Sequence, residues 1–123
     1  MSLPTLFLKS SCPFCLKVVV FLSEAGMLNK VKMAPDSSAN REMLQKIIGE
    51  GSLSFPALQL KDNEKPLMDS DGIIDLFAKQ GNIDVNTLQA LPYYKEGVMK
   101  GYINMIKHIG KPEVFDVIEG KKP

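Results

Sequence analysis

The chain has no tryptophan, one histidine and only two cysteines among its 123 residues. A closed tetrahedral zinc site takes four cysteine or histidine ligands. Here Cys12, Cys15 and His108 would need Asp or Glu to complete the set, which is uncommon for structural zinc. A disulfide between the two cysteines would close so short a loop that it adds little stability. Neither sign of charge is in excess. Lys and Arg number 15 against 14 Asp and Glu, a net charge of +1. That balance gives no reason to expect nucleic acid or an anionic membrane as a partner. No long apolar run exists either. The longest, Val18 to Leu22, is far too short to span a bilayer. Met1 to Leu8 lacks the basic start and apolar core of a secretory signal. The expectation is a cytoplasmic protein, in a reducing compartment where a pair of thiols cycles.

What is present is an ordinary globular composition, 45% apolar and 24% charged, in a chain long enough for one domain with its own core. The stretch that stands out is Lys9-Ser10-Ser11-Cys12-Pro13-Phe14-Cys15. It follows Leu6-Phe7-Leu8, which reads as a buried strand, and leads into a largely buried helix from Pro13 to Ala25. Pro13 suits a first helical turn, where its missing N–H costs nothing. A thiol at a helix N-terminus is stabilised as thiolate by free N–H groups and the helix dipole. Such settings bring a cysteine from about 8.5 to roughly 3.5–7.5. Cys12 is therefore the candidate nucleophile. Cys15, one turn on, is placed to attack a mixed disulfide formed on Cys12.

The rest of the chain alternates strand and helix. Lys30-Val31-Lys32-Met33 has the polar–apolar alternation of a half-buried strand, and Gly26 is placed to end the first helix. Ser37, Ser38 and Asn40 are N-cap candidates for a helix carrying Met43, Leu44, Ile47 and Ile48, which ends at Gly49 and Gly51. Ser54 to Leu60 and Pro66-Leu67-Met68 read as a hairpin around a polar turn. Asp69-Ser70-Asp71 opens another helix, with Ser70 as its cap, and Ile73, Ile74 and Phe77 form its buried stripe. The order is βαβαββα over residues 1–82, an α/β fold with a parallel pair of strands. Residues 83–123 form a helical extension. Tyr93 to Ile109 is amphipathic, with a stripe of Tyr94, Val98, Tyr102, Met105, Ile106 and Ile109, ended by Gly110 and Pro112. A helix of this length is marginal alone, so the stripe needs a surface. Docking on the core is the first expectation. A homodimer through this helix, helped by the small-residue ridge of Gly97 and Gly101, is the alternative.

These motifs resemble the glutaredoxins, and in part the N-terminal domains of glutathione transferases, which share the thioredoxin-like fold. Cys12-Pro13-Phe14-Cys15 is similar to the Cys-Pro-Tyr-Cys of dithiol glutaredoxins. Lys9 stands where they carry a lysine that pairs with a glutathione carboxylate. Ser54-Phe55-Pro56 resembles their Thr-Val-Pro, whose proline is cis and faces the active cysteine. Asp69-Ser70 resembles the transferase Glu-Ser pair that holds the γ-glutamyl end of glutathione. The absence of tryptophan argues against thioredoxin itself, whose Trp precedes Cys-Gly-Pro-Cys. There are departures. Gly49 to Leu53 lacks the Gln-Arg segment of many glutaredoxins, and the start at Asp69 lacks their Gly-Cys-Asp-Asp. The extension is too short for a transferase's second-substrate pocket.

The resemblance implies a glutathione-dependent thiol–disulfide oxidoreductase with Cys12 and Cys15 catalytic and no metal. Lys9, Phe14, Phe55, Pro56, Asp69 and Ser70 would form the glutathione groove. The partners implied are glutathione and a disulfide-containing or glutathionylated substrate. An iron–sulfur-bridged dimer is disfavoured by Pro13. The rival reading is a non-catalytic glutathione- or partner-binding module. Each residue also has a plainer role: Lys9 as a strand-end lysine, Asp69 and Ser70 as helix caps, Phe14 as a core contact.

Overall fold

The computed structural model describes residues 3–121; Met1, Ser2, Lys122 and Pro123 lie outside the described residues. Strand β1 (Thr5–Leu8) sits in the middle of a three-stranded sheet of order β2-β1-β3. It runs parallel to β2 (Lys32–Pro35) and antiparallel to β3 (Ala57–Gln59). Its alternating side chains explain the layers, because successive residues of a strand face opposite sides. Leu6 and its partner Leu58 face helices α1 (Pro13–Glu24) and α3 (Ser70–Gln80), where Val18, Phe21, Leu22, Ile73 and Phe77 complete the main core. Phe7 and its partner Ala57 face the other way, toward Leu44 of α2 (Ser38–Ile48).

Local signals place several boundaries. Gly26 follows α1 with φ +71°, the left-handed conformation that glycine adopts without a Cβ penalty. Ser37 caps α2, its side chain accepting from the Asn40 N–H at 3.1 Å. Other boundaries differ from expectation. The second strand begins at Lys32 rather than Lys30, because Leu28–Lys30 closes a 3-10 turn. The second arm of the hairpin is reduced to one bridge, Leu58 with Leu67. Pro66 has no N–H with which to extend that ladder. At the start of α3, Asp69 takes the N-cap position and Ser70 is the first helical residue, so Ser70 does not cap this helix.

The extension opens with a 3-10 turn (Val85–Thr87), and its first α-helix, α4 (Ala90–Tyr94), starts earlier than the amphipathic pattern indicated. Glu24, at the end of α1, accepts from the N–H groups of Gln89, Ala90 and Leu91 at 2.6, 2.8 and 3.0 Å. A carboxylate from a neighbouring helix thus supplies the missing N-cap, and those bonds hold Glu24 below the usual carboxylate range. Pro92 falls in the first turn, where an N–H has no intrahelical partner. A π turn (Lys95–Met99) joins α4 to α5 (Lys100–Ile109) and redirects the stripe. Tyr94 and Met99, five apart, both turn inward, as an i→i+5 turn permits, and Val98 is left 55% exposed. Met105 and Ile109 are exposed as well, and among the described residues no atom from another element lies within 4 Å of where a Cβ at Gly97 or Gly101 would stand. Leu91 joins the main core. Beyond Gly110 a last helix, α6 (Lys111–Ile118), brings Phe115 beside Lys9 in the turn between β1 and α1.

Candidate active site

The site is built at the turn between β1 and α1. Cys12 is the N-cap of α1, and its sulfur takes the role a cap oxygen plays, accepting the Cys15 N–H at 3.3 Å. Lys9 donates its backbone N–H to Cys15 Sγ at 3.4 Å. Both cysteines are free thiols, Cys12 9% and Cys15 2% exposed. Their acidities are pushed apart. The Cys15 thiol hydrogen-bonded to Cys12, helped by the Cys15 and Phe14 N–H groups and the Lys9 charge, overcomes burial and lowers Cys12 to about 6. Cys15 moves up, because it holds the proton in that shared bond and is buried. At neutral pH the pair is one thiolate and one thiol, the division a nucleophile and a resolving group require.

Cys12 lies between two clefts. One, of about 210 Å³, is lined by Lys9, Cys12, Phe14, Arg41, Leu53, Ser54, Phe55, Ile106, Lys111 and Phe115. The Phe55–Pro56 peptide is cis, and Phe55 O lies 3.6 Å from Cys12 Sγ. Lys9, Phe14 and Phe55 are thus gathered with Cys12 along one groove. Pro56 is buried behind it, and neither Asp69 nor Ser70 lines the clefts that flank Cys12. The start of α3 is tied to α1 instead by Asp71, which accepts from the buried Lys17 at 2.7 Å, and this pairing lowers the Asp71 carboxyl. Lys17 also lies 5.7 Å from the Phe14 ring.

The second cleft, about 180 Å³, brings Leu16, Val19, Tyr94, Val98 and Tyr102 beside Cys12. The Tyr94 hydroxyl donates to Pro13 O, and that of Tyr102 to Ser11 O at 3.5 Å. Burial, with the Cys12 charge behind it, raises Tyr94 to about 12, so it stays a neutral donor. These side chains and Arg41, Ile106, Lys111, Phe115 and Glu119 were not among the expected site residues. Tyr94 and Tyr102 were legible as helix-stripe residues, but no local motif marks any of them as neighbours of the thiol. Among the described residues no group of three or more His, Cys, Asp or Glu could hold a metal, and no helix is long and apolar enough to cross a membrane.

No protein-family profile matches the chain, and no curated protein matches it. The likeness is to solved structures. A glutathione transferase homolog from Sulfitobacter, solved with bound glutathione, matches 98% of this chain at 18% identity and a TM-score of 0.51. The fold is thioredoxin-like. A glutathione S-transferase from the Antarctic clam Laternula elliptica matches 66% of the chain at 19% identity and a TM-score of 0.46. The chain spans 64% of the Sulfitobacter protein and 36% of the clam protein. In a thioredoxin-like fold the β1–α1 turn and the loop before β3 lie side by side, which is where Cys12 and Phe55 meet here.

Proposed function

We propose that the protein is a glutathione-dependent thiol–disulfide oxidoreductase of glutaredoxin type, acting in a reducing cytosol. The observation that carries the reading is a pair of free thiols at the start of α1, with Cys12 Sγ accepting the Cys15 N–H at the mouth of the groove. The Cys12 thiolate attacks the glutathione sulfur of a glutathionylated protein. The new bond is Cys12–S–S–glutathione, and the protein thiolate leaves and takes a proton. A second glutathione thiolate then attacks that glutathione sulfur, releasing glutathione disulfide and the Cys12 thiolate. Alternatively Cys15 attacks Cys12 Sγ, after losing its proton to the departing thiolate, and expels glutathione.

In this reading Lys9 receives the glycine carboxylate of glutathione, and Phe14 and Phe55 flank its cysteine. Pro56 shapes the loop presenting Phe55. Asp69 and Ser70 take the γ-glutamyl end. The bound glutathione of the Sulfitobacter protein supports the ligand class. The test is turnover of a glutathionylated peptide with glutathione. Cys12→Ser should abolish it, and Cys15→Ser should keep a substantial part. Equal loss in both variants would mean a strict dithiol route, and undiminished turnover in Cys12→Ser would end the catalytic reading. Glutathione binding without turnover in the unaltered chain would instead support the binding module. Within the chain, Lys9 already has a carboxylate partner.

A further inference from the structure

That partner is Glu119, just past the end of α6. Its Oε1 lies 3.6 Å from Lys9 Nζ and accepts from Ser11 Oγ at 3.1 Å. Lys121 holds Oε2 at 2.9 Å. One helical turn earlier, the Phe115 ring lies 5.1 Å from Lys9 Nζ and forms part of the groove wall beside Cys12. The lysine at the mouth of the groove is thus engaged by a carboxylate and a ring of its own chain. Both come from a helix attached through Gly110, whose φ of +104° a side chain would strain. Val114 is the one buried residue of that helix, and Phe115 beside it is half-buried.

We propose that Glu119 is an intrachain competitor for the ligand carboxylate at Lys9, and that α6 is a strap which glutathione displaces as its glycine end is seated. The inference rests on the reading of glutathione as the ligand. Both carboxylates seek the same ammonium, and the internal one is always present at high effective concentration. An ion pair this exposed is weak, so the strap lowers affinity without closing the site. A ligand that offers a carboxylate to Lys9 can exchange with Glu119. A ligand lacking one gains nothing by removing it.

The test titrates the full chain and Glu119→Gln, by calorimetry, with S-methylglutathione and with its glycine ethyl ester. Neither ligand can react with Cys12, and they differ in the carboxylate at issue. Glu119→Gln should bind the acid roughly two- to fivefold tighter and the ester no tighter than the unaltered chain does. Saturating the unaltered chain with the acid should speed amide exchange across α6, and saturating it with the ester should not. Equal affinity of both proteins for the acid would overturn the competitor role and leave glutathione as the ligand. Equal tightening for acid and ester would overturn it as well, since the effect would not depend on the carboxylate. No binding of the acid to either protein would overturn both this inference and the reading beneath it.

Discussion

The β1–α1 junction and the C-terminal helices meet at the same sulfur from opposite ends of the chain. The junction works over short separations: the Cys15 N–H reaches Cys12 Sγ from three residues away, and Lys9 reaches Cys15 from six. The C-terminal helices work over long ones, with Tyr94, Tyr102 and Glu119 touching Pro13 and Ser11 across 81, 91 and 108 residues. The short-range contacts set the acidity of the thiol. The long-range ones wall its clefts and engage its lysine. Reactivity and access are therefore separable, and damage to one region should leave the other's contribution standing. A second contrast lies inside the extension. Its start is anchored by Leu91 in the core and by Glu24 at the helix end, whereas its later turns leave Met105, Ile109 and Val117 in solvent.

The largest effect expected is on stability, from the anchored end. Leu91→Ala empties a fully packed position, with Leu91 only 2% exposed, and should cost about 2–5 kcal/mol in urea unfolding. If the stability does not change, α4 is not part of the cooperative core. Next is the junction itself. Thiolate forms above a thiol's pKa, so Cys12 alkylation should rise with pH through a midpoint near 6. In Cys15→Ala the leading cause of that acidity is gone, and the midpoint should climb toward the ordinary thiol value of about 8.5. An unmoved midpoint would assign the acidity to the helix end and Lys9 instead.

A smaller effect sharpens the separation between the regions. Glu24→Gln leaves one acceptor oxygen where a carboxylate had two, so amide exchange should quicken in Gln89, Ala90 and Leu91. The Cys12 midpoint should not follow; a shift would mean that α4 docking and thiol acidity are coupled. The smallest effect is at Tyr93, which is 85% exposed beside Gly97. Tyr93→Ser should change stability by less than about 0.5 kcal/mol. A drop in molecular mass by light scattering would show that this face joins two copies of the chain.

Much of the fold was readable in order along the chain. Strand β1, the start of α1 at Pro13, the glycine after α1 and a cap among Ser37, Ser38 and Asn40 all follow from signals complete within a few residues, and the structure selects Ser37. The errors arose where a boundary depends on a neighbour. Asp69 and Ser70 are both good caps by type, and Asp69 takes the N-cap position without a side-chain hydrogen bond to the helix N–H groups. A stripe from Tyr94 at 3.6 residues per turn places Val98 inward, and the π turn gives that inward position to Met99 instead. No local pattern announces such a turn; it is set by how α4 and α5 must reach the core and the thiol.

The sequence by itself determined that a strand ends, a helix begins, and a thiol stands at that junction with a second thiol one turn behind. The N–H groups that stabilise the thiolate belong to the next few residues, so the chemistry of Cys12 is written in its own heptapeptide. Only the tertiary structure decided what else touches that thiol and its lysine. Glu119 meets Lys9 because α1, α4, α5 and the bend at Gly110 together carry it there. Each crossing is set by packed side chains from separate elements, and a sum of such choices has no local trace in the chain.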